Sequence, residues 1–284
     1  MAVFFNQATL TYNNNRIDSN VVSGELVQEV TVGKYALSGE YNATDAITYI
    51  VSIVNSGQTT FENLTITDDL GAYEFEGQTL TPLDYVEGSL AFYVNGELSA
   101  TPAVSAGQTL VVSGVNVPAN SNALIVYQAR PNGLAPLASG ASITNTATVS
   151  GGGLLTPIEA SATVSAANEA FLSISKSLFP MVVAVNEPLT YTFVIQNTGN
   201  TAAVATDNVT LTDTFDPILS NISVTLDGVA LTEGVDYTYN EQTGEFATVQ
   251  SRITVPAATF TTDPVTGQTV ITPGTAVLRV TGTV

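Results

Sequence analysis

Short runs rich in Val, Ile, Thr and Tyr recur along the whole chain. Each alternates apolar with polar positions and ends at Gly, Asn, Asp or Pro. Such alternation puts one face of a strand into a core and the other into water. No stretch carries the 3.6-residue periodicity of an amphipathic helix. The pattern predicts an all-β chain of β-sandwich type.

The runs also repeat, which decides the organisation. Val30–Lys34 is matched by Leu172–Lys176, and eleven residues after each Lys comes an acid, Asp45 or Glu187. Four residues later stand Tyr49 and Tyr191, in strands that end at Asn55-Ser56-Gly57 and Asn197-Thr198-Gly199. Asn63–Asp68 is matched by Asn208–Asp213, with three extra residues in the second copy's preceding turn. Ala123–Tyr127 is matched by Ala276–Val280. The first copy continues through Ile143–Val149 and Ser161–Ser165, whereas the second reaches Val284 with neither.

Those two segments have counterparts at the start of the chain. Phe4–Leu10 copies Ile143–Val149, and Ser19–Ser23 copies Ser161–Ser165; Ser19 and Ser161 each lie fifteen residues before their Lys. The chain therefore reads as a final hairpin (1–24), a whole unit (25–165) and a unit without its final hairpin (166–284). The expectation is two Ig-like β-sandwich domains in tandem, the second completed by the N-terminal hairpin of a neighbouring subunit. A short linker, 166–170, sets the units end to end, so the hairpin projects from the far end and meets another copy more easily than its own second unit. Head-to-tail donation of this kind builds a homopolymer that does not close on itself. The alternative is a disordered extension attached to a fragment cut in mid-domain.

Residues two apart in a strand share a face. Lys34 shares one with Val30 and Val32, and Lys176 with Leu172 and Ile174; these are the chain's two lysines. Asp68 goes with Leu64 and Ile66, and Asp213 with Val209 and Leu211. Asn145 goes with Ile143, Ala147 and Val149, and Asn6 with Phe4, Ala8 and Leu10. Each copy therefore turns a Lys, an Asp and an Asn toward a core, where an unpaired charge is costly. Two readings fit. One is a buried ion pair with Asn as hydrogen-bond partner. The other is a spontaneous isopeptide bond, in which a neutral Lys attacks the Asn carbonyl while a protonated Asp donates to its oxygen and ammonia leaves. Asp45 and Glu187 are second-rank choices for the acid. Tyr49 and Tyr191 read as core or corner tyrosines, and Asp68-Asp69 before Gly71 as a strand-ending turn rather than a metal loop.

Composition narrows the function classes. Six basic residues against 25 acidic ones give a net charge of −19, which argues against nucleic acid and anionic membranes as partners. With no Cys and no His, disulfides, zinc sites of the usual kind and His-dependent triads are excluded. No cofactor is expected, and no carboxylate pair stands in a recognisable glycosidase context. No segment reads as a signal peptide or a membrane span, so membrane insertion is not expected and an export route is not evident. The Met1 start and the complementary ends favour a polymerising subunit. An adhesive module of a larger surface protein, with ligand-binding loops in Thr101–Ser113 or Asp236–Ser251, is the competing function.

The Lys strand, the Asn-x-Gly turn, the Thr-Asp after an alternating strand and the late Asn-x-Ala-x-Val together resemble the DUF11 repeat of bacterial and archaeal surface proteins. The order Lys, Asp, Asn is similar to that of CnaA-type isopeptide domains in Gram-positive adhesins and pili. The resemblance implies a bond between Lys34 and Asn145 with Asp68 as promoting acid, and one between Lys176 and Asn6 of the next chain with Asp213. A short DUF11 protein without an anchor also resembles clostridial spore-appendage proteins, which are made in the mother cell and need no signal peptide. A surface or spore fibre is the implied setting, with the chain itself as partner and an unidentified surface anchor as a second.

Overall fold

Every second side chain of Ile47–Asn55 is buried, and Ser121–Pro131 and Ser142–Gly151 repeat the pattern. Alternation thus becomes sheet, and two sheets facing each other form each core. The computed structural model describes residues 2–13, 15–26 and 29–284. Met1 and Asn14 of the expected hairpin, and Val27 and Gln28 after it, lie outside the described residues. Apart from one 3-10 turn at Ala205–Asp207, the regular structure described is all β.

The chain opens with β1 (Ala2–Asn6), β2 (Thr9–Tyr12), β3 (Asn15–Asp18) and β4 (Val22–Leu26). β1 pairs with β4 and β2 with β3, and neither pair joins another sheet. Val3, Phe4, Phe5, Leu10, Tyr12, Ile17 and Val22 are all exposed on this ribbon.

The first sandwich runs through β5 (Val30–Ala36), β6 (Glu40–Tyr41), β7 (Ile47–Asn55), β8 (Phe61–Asp68), β9 (Tyr73–Phe75), β10 (Gln78–Leu80) and β11 (Leu83–Tyr85). It continues with β12 (Ala91–Val94), β13 (Glu97–Ser99), β14 (Ala103–Ala106), β15 (Leu110–Val117), β16 (Ser121–Pro131), β17 (Ser142–Gly151) and β18 (Ile158–Ala166). One sheet has the order β13-β12-β16-β7-β5 and the other β14-β15-β8-β17-β18-β6.

The second sandwich has β19 (Leu172–Phe179), β20 (Pro188–Asn197), β21 (Thr212–Thr214), β22 (Ser220–Leu226) and β23 (Val229–Ala230). After these come β24 (Tyr237–Tyr239), β25 (Glu245–Thr248), β26 (Thr259–Thr262), β27 (Thr269–Thr272) and β28 (Gly274–Thr283). Its first sheet, β19-β20-β28-β22-β23, reproduces β5-β7-β16-β12-β13 strand for strand. Its second, β24-β25-β21, reproduces β14-β15-β8 and stops where the first sandwich goes on to β17 and β18. One edge of β21 is therefore open, and every residue of β19 is exposed.

One element has no counterpart. Where the first sandwich turns through Pro118–Asn120 between β15 and β16, the second inserts the β26–β27 hairpin. This hairpin reaches back to the first sandwich: Thr269 donates its N–H to Gly133 O (2.8 Å) and its hydroxyl to Ala135 O (2.8 Å).

The Asn-x-Gly turns act as matching keystones. Asn55 is fully buried; its Nδ2 donates to Thr59 O (2.8 Å), Val117 O (3.1 Å) and Pro118 O (2.8 Å), and its Oδ1 accepts from Gly57 N (3.0 Å). Asn197 is equally buried, donating to Thr201 O (2.7 Å) and Pro256 O (3.0 Å) and accepting from Gly199 N and Phe171 N. Asn55→Ala would leave several buried backbone groups without partners, so denaturant unfolding is expected to show a loss of about 3 kcal/mol.

Candidate functional site

Two clusters stem from the repeated Lys and Asp, and they differ in completeness. In the first, β5 brings Lys34, β8 brings Asp68, β16 brings Tyr127 and β17 brings Asn145 into the space between the sheets. The Lys34 and Asp68 side chains are 0% and 2% exposed, with Nζ 2.6 Å from Oδ2. The Tyr127 hydroxyl donates to the same Oδ2 at 2.5 Å, and Leu70 N donates to Oδ1 at 3.1 Å. Asn145 Nδ2 donates to the Tyr127 oxygen at 3.0 Å. The identity of that Asn145 atom follows from the network: the single phenolic proton is committed to the carboxylate, so only a donor can face the oxygen.

Lys34 Nζ also lies 5.2 Å from the centre of the Tyr49 ring, which stacks on Tyr127 at 5.7 Å. Two buried polar atoms here have no partner among the described residues, the Tyr49 hydroxyl and Asn145 Oδ1. Burial pulls the Lys34 amine below its usual pKa, against the opposing charge of Asp68. Burial likewise raises both phenols, with the Asp68 charge adding to the rise.

The expected donation from a protonated Asp68 to the Asn145 oxygen is not what the geometry holds. Asp68 accepts from three donors, which suits a carboxylate, and Tyr127 stands between the acid and the amide. Tyr127 escaped the sequence reading because its counterpart in the repeat is Val280 and so gives no matching signal. Cross-strand register agrees: Tyr127 pairs with Tyr49, and Val280 with Tyr191. Tyr49 is a core residue as expected, yet its hydroxyl belongs to the polar cluster.

In the second cluster Lys176 pairs with Asp213, but their side chains are 41% and 18% exposed. Tyr191 lies beneath the amine at 4.5 Å, and Phe215 stacks on Tyr191 at 4.9 Å in the role that Tyr127 plays beside Tyr49. Lys176 lies over Tyr191 on the core side of β19 but stays open to water, because the strands that cover Lys34 have no counterpart on this side. Leu172, Ile174 and Leu178 are exposed along the same strand. Asn6 is exposed on the free ribbon, and no hydrogen bond joins it to Lys176 or Asp213 within the chain.

The ribbon's own register departs from the repeat. Ile143 faces Val164 in the first sandwich, but Phe4 faces Gly24 rather than Val22. That two-residue shift keeps the β1 and β4 side chains on their faces, whereas in β2–β3 Leu10 faces Ile17, one residue away from the repeat's register.

The other candidates separate from the clusters. Asp45 accepts from Asn42 in an exposed turn, and Glu187 is exposed, so neither belongs to the buried cluster around Lys34. Asp68 and Asp69 cap the turn through Leu70 N and Gly71 N, as the strand-ending reading required. No metal-holding group of His, Cys, Asp or Glu occurs among the described residues. Thr101–Ser113 contributes β14 and the start of β15, and Asp236–Ser251 contributes β24 and β25.

No family model matches the chain, and no curated protein matches it. The DUF11 resemblance thus rests on its motifs alone. Among solved structures, BcpA, the major pilin subunit of Bacillus cereus, is 11% identical with TM-score 0.36, over 95% of this chain and 73% of that one. The RrgB pilus backbone of Streptococcus pneumoniae is 12% identical with TM-score 0.35, over 87% of this chain and 55% of that one. The collagen-binding subdomain of the Enterococcus faecalis surface protein ACE is 11% identical with TM-score 0.32, over 50% of this chain and 99% of that one. These scores are too low to mark a shared overall fold.

Proposed function

We propose that the chain is a structural subunit that assembles head to tail by donor-strand complementation into an extracellular fibre on a cell or spore surface. Residues 1–24 of one copy act as donor, and the sandwich of residues 166–284 in the next copy as acceptor. In this reading Lys34 and Asn145 join within the chain, and Lys176 joins Asn6 of the neighbour, with Asp68 and Asp213 as the promoting acids.

One observation carries the reading. The sheet β24-β25-β21 ends at the position that β17 and β18 fill in the first sandwich, and the free ribbon matches those two strands in residue pattern and spacing. An open edge beside exposed apolar residues is adhesive. The ribbon supplies the matching hydrogen-bonding groups together with Phe4, Ala8 and Leu10. Burying a large apolar side chain contributes roughly 1.5–3 kcal/mol, so Leu172, Ile174, Leu178, Phe4 and Leu10 give docking a substantial drive.

The direction of entry supports donation between chains. Ser56 N bonds Glu29 O and Thr198 N bonds Phe171 O, both at 2.9 Å. Glu29 thus enters the first sandwich as Phe171 enters the second. Purified protein is expected to form filaments under negative stain, and deletion of residues 1–23 to give monomers. A peptide spanning residues 1–23 should raise the melting temperature of that truncated protein. Normal filaments from the truncated chain would sink the proposal.

A further inference from the structure

A buried lysine and carboxylate can exchange a proton across 2.6 Å without help, but an amide nitrogen does not leave as an anion. It needs a proton, and the geometry shows which group can deliver it. Asn145 Nδ2 donates to the Tyr127 oxygen at 3.0 Å, with the Tyr49 hydroxyl also beside the amide, and the Tyr127 hydroxyl is bonded to Asp68 Oδ2 at 2.5 Å. The acid therefore reaches the departing nitrogen through the phenol and not directly.

We propose that the Tyr127 hydroxyl is a proton relay for closure of the Lys34–Asn145 bond, carrying a proton from Asp68 to the nitrogen that departs as ammonia. This rests on the reading of the first cluster as bond-forming. Lys34 Nζ first gives a proton to Asp68. The neutral amine then forms a bond to Asn145 Cγ, and the carbonyl electron pair moves onto Oδ1. Nδ2, no longer conjugated, gains a lone pair and takes the phenolic proton while Tyr127 takes the one from Asp68. The C–Nδ2 bond breaks, Oδ1 regains its double bond, ammonia leaves, and Nζ passes its surplus proton to Asp68. The products are the amide, ammonia, an intact phenol and a protonated acid; protons and charge balance with no external reactant. Val280, paired with Tyr191 where Tyr127 pairs with Tyr49, confines the relay to the first sandwich.

The test uses the full chain carrying Asn6→Ala, so that a change in mass reports only the bond within the chain. Intact mass is followed from the moment of synthesis in cell-free translation. The parent is expected to lose one ammonia, and adding Tyr127→Phe to slow that loss about 100-fold or more, the usual worth of a positioned acid. A second chain carries 3,5-difluorotyrosine at position 127, which keeps the hydroxyl and nearly the size but is more acidic; its rate should change by about threefold or more. If the parent keeps its full mass, the bond-forming reading fails. If the parent matures and Tyr127→Phe matures at the same rate, the relay is overturned. An unchanged rate in the fluorinated chain also overturns it, whether Tyr127→Phe is slow or fails to fold, because the hydroxyl is then only structural.

Discussion

Protein lacking residues 1–23 is expected to weigh one ammonia less than its sequence, and Asp68→Ala to restore the full mass. The argument starts from burial. Lys34 and Asp68 have essentially no contact with water, and an ion pair there gives up hydration that its mutual attraction only partly returns. Moving one proton across 2.6 Å turns two buried charges into two neutral groups and at the same time makes the amine a nucleophile. Asp68→Ala removes both the proton acceptor and the source of the proton for the leaving group, so no bond should form. Stability separates the two roles. Asn145→Ala loses the cross-link but keeps the ion pair; by the loop-closure argument for a span of this length it should cost about 5 kcal/mol in denaturant unfolding. Asp68→Ala additionally strands a buried Lys, worth about 3–5 kcal/mol more. Full mass in the unmutated chain, with Asn145→Ala costing only about 1 kcal/mol, would reduce the cluster to a hydrogen-bonded ion pair.

Much of this was legible in the sequence because strand parity and the internal repeat are both local signals. Parity alone put Lys34, Asp68 and Asn145 on inward faces, and the offset of the repeat matched the ribbon to β17 and β18 before any pairing was known. What the sequence could not show has physical causes. Tyr127 sits in a strand whose second copy carries Val280, so the repeat hid the residue that joins acid to amide. Lys176 has the same parity as Lys34 but is partly wet in the single chain, as a unit without its last two strands requires, because burial belongs to the completed sheet and not to the strand. The register of the free ribbon, two residues off the repeat in β1–β4 and one residue off in β2–β3, is a property of pairing and left no trace in the alternation of either strand. The β26–β27 insertion alternates like any other hairpin, and only the fold shows that it leans on the neighbouring sandwich.

Filaments of the unmutated chain, boiled in SDS, are expected to run as a ladder, and Asn6→Ala or Lys176→Ala to collapse that ladder to monomer. Asn6 stands in the ribbon where Asn145 stands in β17, two residues before an alanine in each case. If the neighbour's hairpin docks in the register of β17, Asn6 comes to lie beside Lys176 and Asp213, while a one-residue slip would turn it to solvent. Lys176 and Asp213 are paired but partly wet in the single chain. Docking would cover them, remove the water that screens their charges and create the burial that Lys34 and Asp68 already have. Bond formation should therefore follow assembly and not precede it. Asn6→Ala removes only the electrophile, leaving Phe4, Ala8 and Leu10 to dock, so native filaments should still be visible by negative stain although they no longer resist SDS. Filaments of the unmutated chain that fall to monomer on boiling would show that strand pairing and packing alone hold the joint.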